Sequence, residues 1–137
     1  MKVCVLGTGS AGNSTLVEAG ETRVLVDAGF SGRDLERRLA YAGLLPEAIH
    51  GIVITHDHGD HTRGAGVFSR RHGTPIYVTR PTLIACPKVF LGTEKVVTYQ
   101  VARPFTIGQI RIEPFLTIHD AVDPVAVALV DEETDTR

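Results

Sequence analysis

Cysteine is scarce: of 137 residues only Cys4 and Cys86 carry thiols, far apart and each in an apolar setting, VCVL and LIAC. Two such residues cannot build a disulfide framework or a zinc knuckle, and they are expected to be free, buried thiols. Long hydrophobic runs are lacking too. No apolar segment reaches eighteen residues, and the run after Met1-Lys2 is only Val-Cys-Val-Leu before Gly7. This argues against a membrane-spanning helix and a signal-peptide core, so no membrane association is expected and the cytoplasm is the expected setting. An excess of charge is also missing. Sixteen acidic and fourteen basic side chains give a formal charge of −2, which supplies no general pull toward nucleic acid and leaves only a local basic patch as a route to one. Linkers, repeats and low-complexity tracts are absent. With 43% apolar and 22% charged residues, the sequence is that of one continuous globular unit with a hydrophobic core.

Glycine, by contrast, is concentrated at the N-terminus. Gly7, Gly9 and Gly12 in GTGSAGN have the G-x-G-x-x-G spacing of a dinucleotide-binding loop. Such a loop needs a helix starting within it, so that the helix N-terminus meets the pyrophosphate. Here β-type residues flank it: 2–6 (KVCVL), 14–18 (STLVE) and 22–29 (TRVLVDAG) read as three strands with a turn at Ala19-Gly20-Glu21. GTGSAGN is therefore expected to be a turn, with Asn13 or Ser10 available to hydrogen-bond it, and no nucleotide cofactor is expected.

The first helix is predicted over 31–43, with Ser31 as cap, Asp34 in the first turn, Leu35, Leu39 and Ala42 on one face, and Gly43 as the stop. Arg33, Arg37 and Arg38 read as its solvated face with Glu36. GIVIT, 51–55, reads as a strand buried on both sides. One helix is predicted from about Asp60 to Arg71, followed by a strand at 75–79 and a short helix at 80–86. The rest reads as β: 95–101, 105–118 with Gly108 as the turn, and 124–131, before a polar turn over 132–136.

The chemistry concentrates in His56-Asp57-His58-Gly59-Asp60-His61. Imidazole is the commonest ligand for zinc-like cations. Alternate residues of an extended segment point the same way, so His56 and His58 suit one ion. Asp60 and His61 follow the glycine bend and suit a second, while Asp57, between two inward neighbours, points away. Two ions ~3.5–4 Å apart share a water whose pKa falls toward neutrality, so that hydroxide is available as the nucleophile. The location supports a built site, since the segment follows directly on an apolar strand. His50 and His72 have no such setting and read as ordinary surface or helix-end residues.

HDHGDH resembles the H-x-H-x-D-H signature of the metallo-β-lactamase-fold superfamily. LVDAG around Asp27, GTGSAGNST near the N-terminus and TIHDAVDPVAVAL at 117–129 resemble its YycJ/WalJ-like branch, related to PhnP and RNase Z type phosphodiesterases. The resemblance implies an α/β fold, the metallo-β-lactamase αββα four-layer sandwich, of which 1–137 would be the N-terminal half to two-thirds. It implies His56, His58 and His119 at a first divalent ion and Asp60 and His61 at a second, with Asp60 also the candidate catalytic residue. Asp27 would hydrogen-bond around the site without ligating. Zinc is the first expectation for both ions, with manganese or iron as alternatives.

One departure from the pattern stands out. The family's later bridging Asp and final His have no counterpart after His119, so the chain is expected to be the N-terminal part of a longer domain. The implied activity is hydrolysis of phosphodiester bonds by a metal-activated hydroxide, as a nuclease or a small phosphodiesterase. His61, where some antibiotic-hydrolysing branches carry Arg or Lys, favours phosphodiesters or thioesters. The alternatives are a thioester or lactone hydrolase of glyoxalase type and an inactive metal-binding fragment. A redox di-iron site is disfavoured, because such relatives tend to carry an acidic residue where His58 stands.

Overall fold

Glycine turns and β-branched residues at the N-terminus produce an antiparallel meander: β1 (Lys2–Gly7), β2 (Ser14–Ala19) and β3 (Thr22–Val26). The computed structural model describes residues 1–116 and 125–137. From β3 the chain crosses through α1 (Gly32–Tyr41) to β4 (Gly51–Val53). It continues through α2 (Gly59–Thr62) and α3 (Ala65–His72) to β5 (Ile76–Val78), and through α4 (Arg80–Ala85) to β6 (Val96–Thr98). These six strands form one sheet in sequence order, antiparallel across β1–β3 and parallel from β3 to β6. The parallel half follows from the helical crossovers, which return each strand in the same direction. A second, antiparallel sheet holds β7 (Phe105–Ile107), β8 (Ile110–Leu116) and β9 (Val125–Asp131), with Gly108 at φ +55 in the β7–β8 turn.

The helices cover one face of the large sheet. Leu35 and Leu39, one turn apart on α1, join Ala65 and Phe68 of α3 against Leu16, Leu25, Ile52 and Ile76. The opposite face meets the small sheet, with Val17, Val24 and Val53 packed against Ile107, Ile110, Ile112 and Val125. Helix, sheet and sheet make three layers. This is why the central strands β3 and β4 are apolar on both faces while β1, at the edge, is not enclosed: Val3 and Val5 are about 60% exposed, at 62% and 58%. Among the described residues no helix is long and apolar enough to cross a membrane.

Several expectations are corrected here. Cys4 is exposed, because edge strand β1 lies open over Lys2 to Val5 and only Leu6 of it enters the core, whereas Cys86 is buried as expected. The single helix expected from Asp60 is two, broken at Arg63-Gly64. Gly64 donates its N–H to the Ala28 carbonyl at 2.8 Å, and a Cβ there would lie 2.1 Å from the Phe30 oxygen, so the backbone must bend to fit. Strands β3 and β4 stop at Val26 and Val53, short of residues 29 and 55, and β6 is only three residues long. The α1 face is also less solvated than expected. Arg38 lies over the Phe30 ring at 3.9 Å and donates to the Leu6 carbonyl, while Glu36 pairs with Arg71 and His72 of α3.

Candidate metal centre

The parallel register pairs Val26 with Val53, so the chain leaves β3 and β4 side by side at their carboxyl ends. That is where sites form in parallel sheets. Asp27 follows β3 with φ +64, a left-handed conformation that Asp tolerates better than most residues. Its N–H donates to the Val53 carbonyl at 2.8 Å, which ties the two strand ends together.

The Asp27 carboxylate is 5% exposed and organises its surroundings. Oδ1 accepts the Thr55 N–H at 2.8 Å, and Oδ2 accepts the Thr55 hydroxyl at 2.6 Å. The Thr55 Oγ1 is also 2.6 Å from His56 Nδ1, and His61 Nδ1 is 2.7 Å from Asp27 Oδ2. A hydroxyl carries one proton and a carboxylate only accepts. Thr55 therefore donates to Asp27 and accepts from His56, so both histidines carry their proton on Nδ1. Each is left with an Nε2 lone pair, the form in which imidazole binds a metal, with the Nδ1–H anchored by an oxygen.

Asp27, His56 and His61 each present a ligand atom within 4.8 Å of the other two, and the two imidazole rings lie 4.4 Å apart between centroids. Asp60 Oδ2 is 3.7 Å from His61 Nε2. Two ligands each ~2.0–2.2 Å from a tetrahedral ion stand roughly 3.3–3.6 Å apart, so this oxygen and nitrogen have a spacing that suits a shared divalent cation. The Asp27 hydrogen bond also raises the His61 pKa above the usual histidine value, against the effect of burial, with the Asp27 and Asp60 charges acting in the same direction.

The sequence paired His56 with His58, and Asp60 with His61. The structure sets His56 and His61 side by side. His58 caps α2 from the N-terminal side, its carbonyl accepting from His61 N and Thr62 Oγ1, and its ring is 40% exposed against 18% for His61. His119 lies outside the described residues. Asp57 faces a different cavity, lined also by Thr62, Cys86 and Lys88, and its carbonyl accepts from the Cys86 thiol at 3.3 Å. His50 Nδ1 accepts the Arg23 N–H, and His72 pairs with Glu36, both away from the centre.

Two participants escaped the sequence reading. Thr55, the last residue of an apolar run, links Asp27 to His56. Gly29 permits a backbone approach: a Cβ at this position would lie 1.7 Å from the Asp60 carbonyl oxygen. The signal for either was position alone: Thr55 adjoins His56, and Gly29 lies two residues after Asp27.

Comparison with known proteins shows the family and the fold. The family model for the metallo-beta-lactamase superfamily matches residues 7–136. The chain is 37% identical over 127 residues to the exodeoxyribonuclease WalJ of Streptococcus pneumoniae, covering 90% of this chain and 47% of that protein. It is 36% identical over 126 residues to the exodeoxyribonuclease YycJ of Bacillus anthracis, covering 90% and 48%. A ribonuclease Z of Mycobacterium sp. (strain KMS) is 40% identical over 73 residues, covering 48% and 25%. The chain thus spans about half the length, or less, of these relatives. Among solved structures, the metallo-β-lactamase-fold protein YhfI of Bacillus subtilis superposes with a TM-score of 0.79 at 24% identity, covering 94% of this chain and 57% of that one. A Cronobacter sakazakii metallo-β-lactamase gives 0.80 at 16%, covering 96% and 58%. Both likenesses concern the fold.

Proposed function

Because the chain belongs to the metallo-β-lactamase superfamily, whose fold implies divalent metal binding, we propose that it forms the N-terminal part of a single domain that hydrolyses phosphodiester bonds in nucleic acid. The observation that carries this reading is the set of oriented imidazoles at the ends of β3 and β4, combined with two relatives named exodeoxyribonucleases. His56, His58, Asp60 and His61 are the proposed metal ligands, joined by His119, with zinc as the first choice of ion. When bound, two such ions would lower the pKa of a water toward neutrality and stabilise the charge that develops at a phosphodiester.

The chain's own residues have separable tasks. Asp27 and Thr55 keep the His56 and His61 Nε2 lone pairs exposed to the ion by holding the Nδ1 protons. The Asp60 carboxylate brings negative charge beside His61. The two free thiols support a cytoplasmic setting.

The test is metal content together with metal-dependent hydrolysis of bis-p-nitrophenyl phosphate and of labelled DNA by the full-length protein, with His58→Ala as the control. We expect turnover that a chelator abolishes. Absence of metal-dependent cleavage of any ester overturns the reading, and faster turnover of a thioester than of either phosphodiester replaces it with the glyoxalase-type alternative.

A further inference from the structure

The glycine loop GTGSAGN starts no helix, yet it is joined to the candidate centre through one residue, Asn13. Asn13 Oδ1 accepts the Gly9 N–H at 3.1 Å, and its Nδ2 lies 2.8 Å from the Gly9 carbonyl, 3.1 Å from the Asp60 carbonyl and 3.1 Å from Asp60 Oδ2. Its backbone reaches Asp60 once more and Gly29 besides. Asn13 N–H donates to the Asp60 carbonyl at 2.7 Å, and the Asn13 carbonyl accepts from Gly29 N at 3.0 Å.

This network fixes which way the amide faces. Nδ2 is surrounded by three oxygens that can only accept, and Oδ1 meets an N–H; a flipped amide would set oxygen against oxygen at three contacts and donor against donor at the fourth. The oxygen of Asp60 that Asn13 holds is Oδ2, the same atom that stands 3.7 Å from His61 Nε2. A carboxylate on a short, solvent-bordering helix has rotamers that turn it out to water. Here the amide N–H selects the one that faces the imidazole.

We infer that Asn13 is a positioning residue of the metal centre, using its carboxamide to lock the Asp60 carboxylate beside His61, so that the glycine loop acts as the outer support of the site. The inference rests on Asp60 being a ligand, as proposed above. Partners that orient a ligand are typically worth ~10–100-fold in metal affinity.

The experiment is a double-mutant cycle read by calorimetric zinc titration of the full-length protein: parent, Asn13→Ala, Asp60→Ala and the double variant. Asn13→Ala is expected to weaken zinc binding about tenfold in the parent background and less than about twofold when Asp60 is already Ala. An equal loss in both backgrounds overturns the inference, because Asn13 would then act through the loop as a whole. If Asn13→Ala does not fold, as judged by circular dichroism, Asn13→Asp replaces it; this variant keeps the shape and the acceptor for Gly9 N–H but sets an acidic oxygen against the Gly9 carbonyl and Asp60 in place of the donor, so an even larger loss is expected in the parent background and again little when Asp60 is Ala. A loss in Asp60→Ala with none in the Asn13 variants defeats the positioning role alone. Unchanged zinc binding in Asp60→Ala defeats the assignment of Asp60 as a ligand along with it.

Discussion

Thr55 and Gly29 show how much of a site can depend on residues with no metal chemistry of their own. Thr55→Val keeps the shape but removes the hydroxyl that bridges Asp27 Oδ2 and His56 Nδ1, leaving Asp27 Oδ2 to His61 Nδ1. Losing a buried hydrogen bond to a charged group costs ~1.5–3 kcal/mol, so the urea midpoint should fall accordingly while far-UV dichroism stays native. Gly29→Ala should be worse. Its Cβ would meet backbone rather than a movable side chain, at 1.7 Å from the Asp60 oxygen, so relief requires shifting the loop that carries Asp60. Overpacking of this kind costs at least ~1–3 kcal/mol. Metal titration is expected to show loss of binding even in the fraction that remains folded.

Among the elements, α3 and the loop before β6 are held together by Glu94, whose carboxylate accepts from Leu91 N and Gly92 N, both at 3.0 Å, and pairs with Arg70. Burial acts to raise the Glu94 pKa, but the two backbone N–H groups and Arg70 outweigh it and the pKa falls below the usual glutamate value. The sign follows from linkage: the carboxylate's contribution to stability is complete above the unfolded pKa and is lost as pH falls through the lower folded value. Thermal melts between pH 3 and 6 should therefore show a steeper acid decline for the parent than for Glu94→Gln. Such an element-level link was not legible in the sequence, where Glu94 is one acid in a polar stretch. The helix of 31–43 and the strand meander were legible, because Ser31, Leu35, Leu39 and Gly43 carry cap, stripe and stop locally. The break at Gly64 was not, since its cause is the Phe30 carbonyl, more than thirty residues away. In the site the same division holds. HDHGDH announced the histidines by composition, but the partnership of His56 with His61 depends on Thr55 and Asp27, which only the parallel pairing of β3 with β4 brings into register.

At the scale of the molecule, the three layers make the two thiols reporters of different events. Cys4 lies on the open edge strand, and Cys86 is packed into the core beneath the helices. Burial, with the Asp57 charge acting in the same direction, pushes the Cys86 thiol above the usual cysteine value, so it stays protonated as well as shielded. Reaction requires the thiolate. With a thiol reagent at pH 8, Cys4 is expected to be modified within minutes, and Cys86 only at the rate at which the helical layer opens. Mass spectrometry against time distinguishes the two, and equal rates would contradict the burial of Cys86.

The described members of the centre, Asn13, Asp27, Thr55, His56, Asp60 and His61, all lie before β5 in the chain, and the largest separation among directly bonded partners is that between Asn13 and Asp60. The entropy of bringing chain segments together grows only as the logarithm of their separation, and folding is faster where contacts are near in sequence. The frame of the centre can thus close without waiting for the small sheet. During synthesis, these residues leave the ribosome before β7–β9 are complete, so this frame precedes the small sheet, whose Val125 N–H then closes on the Thr55 carbonyl at 3.2 Å.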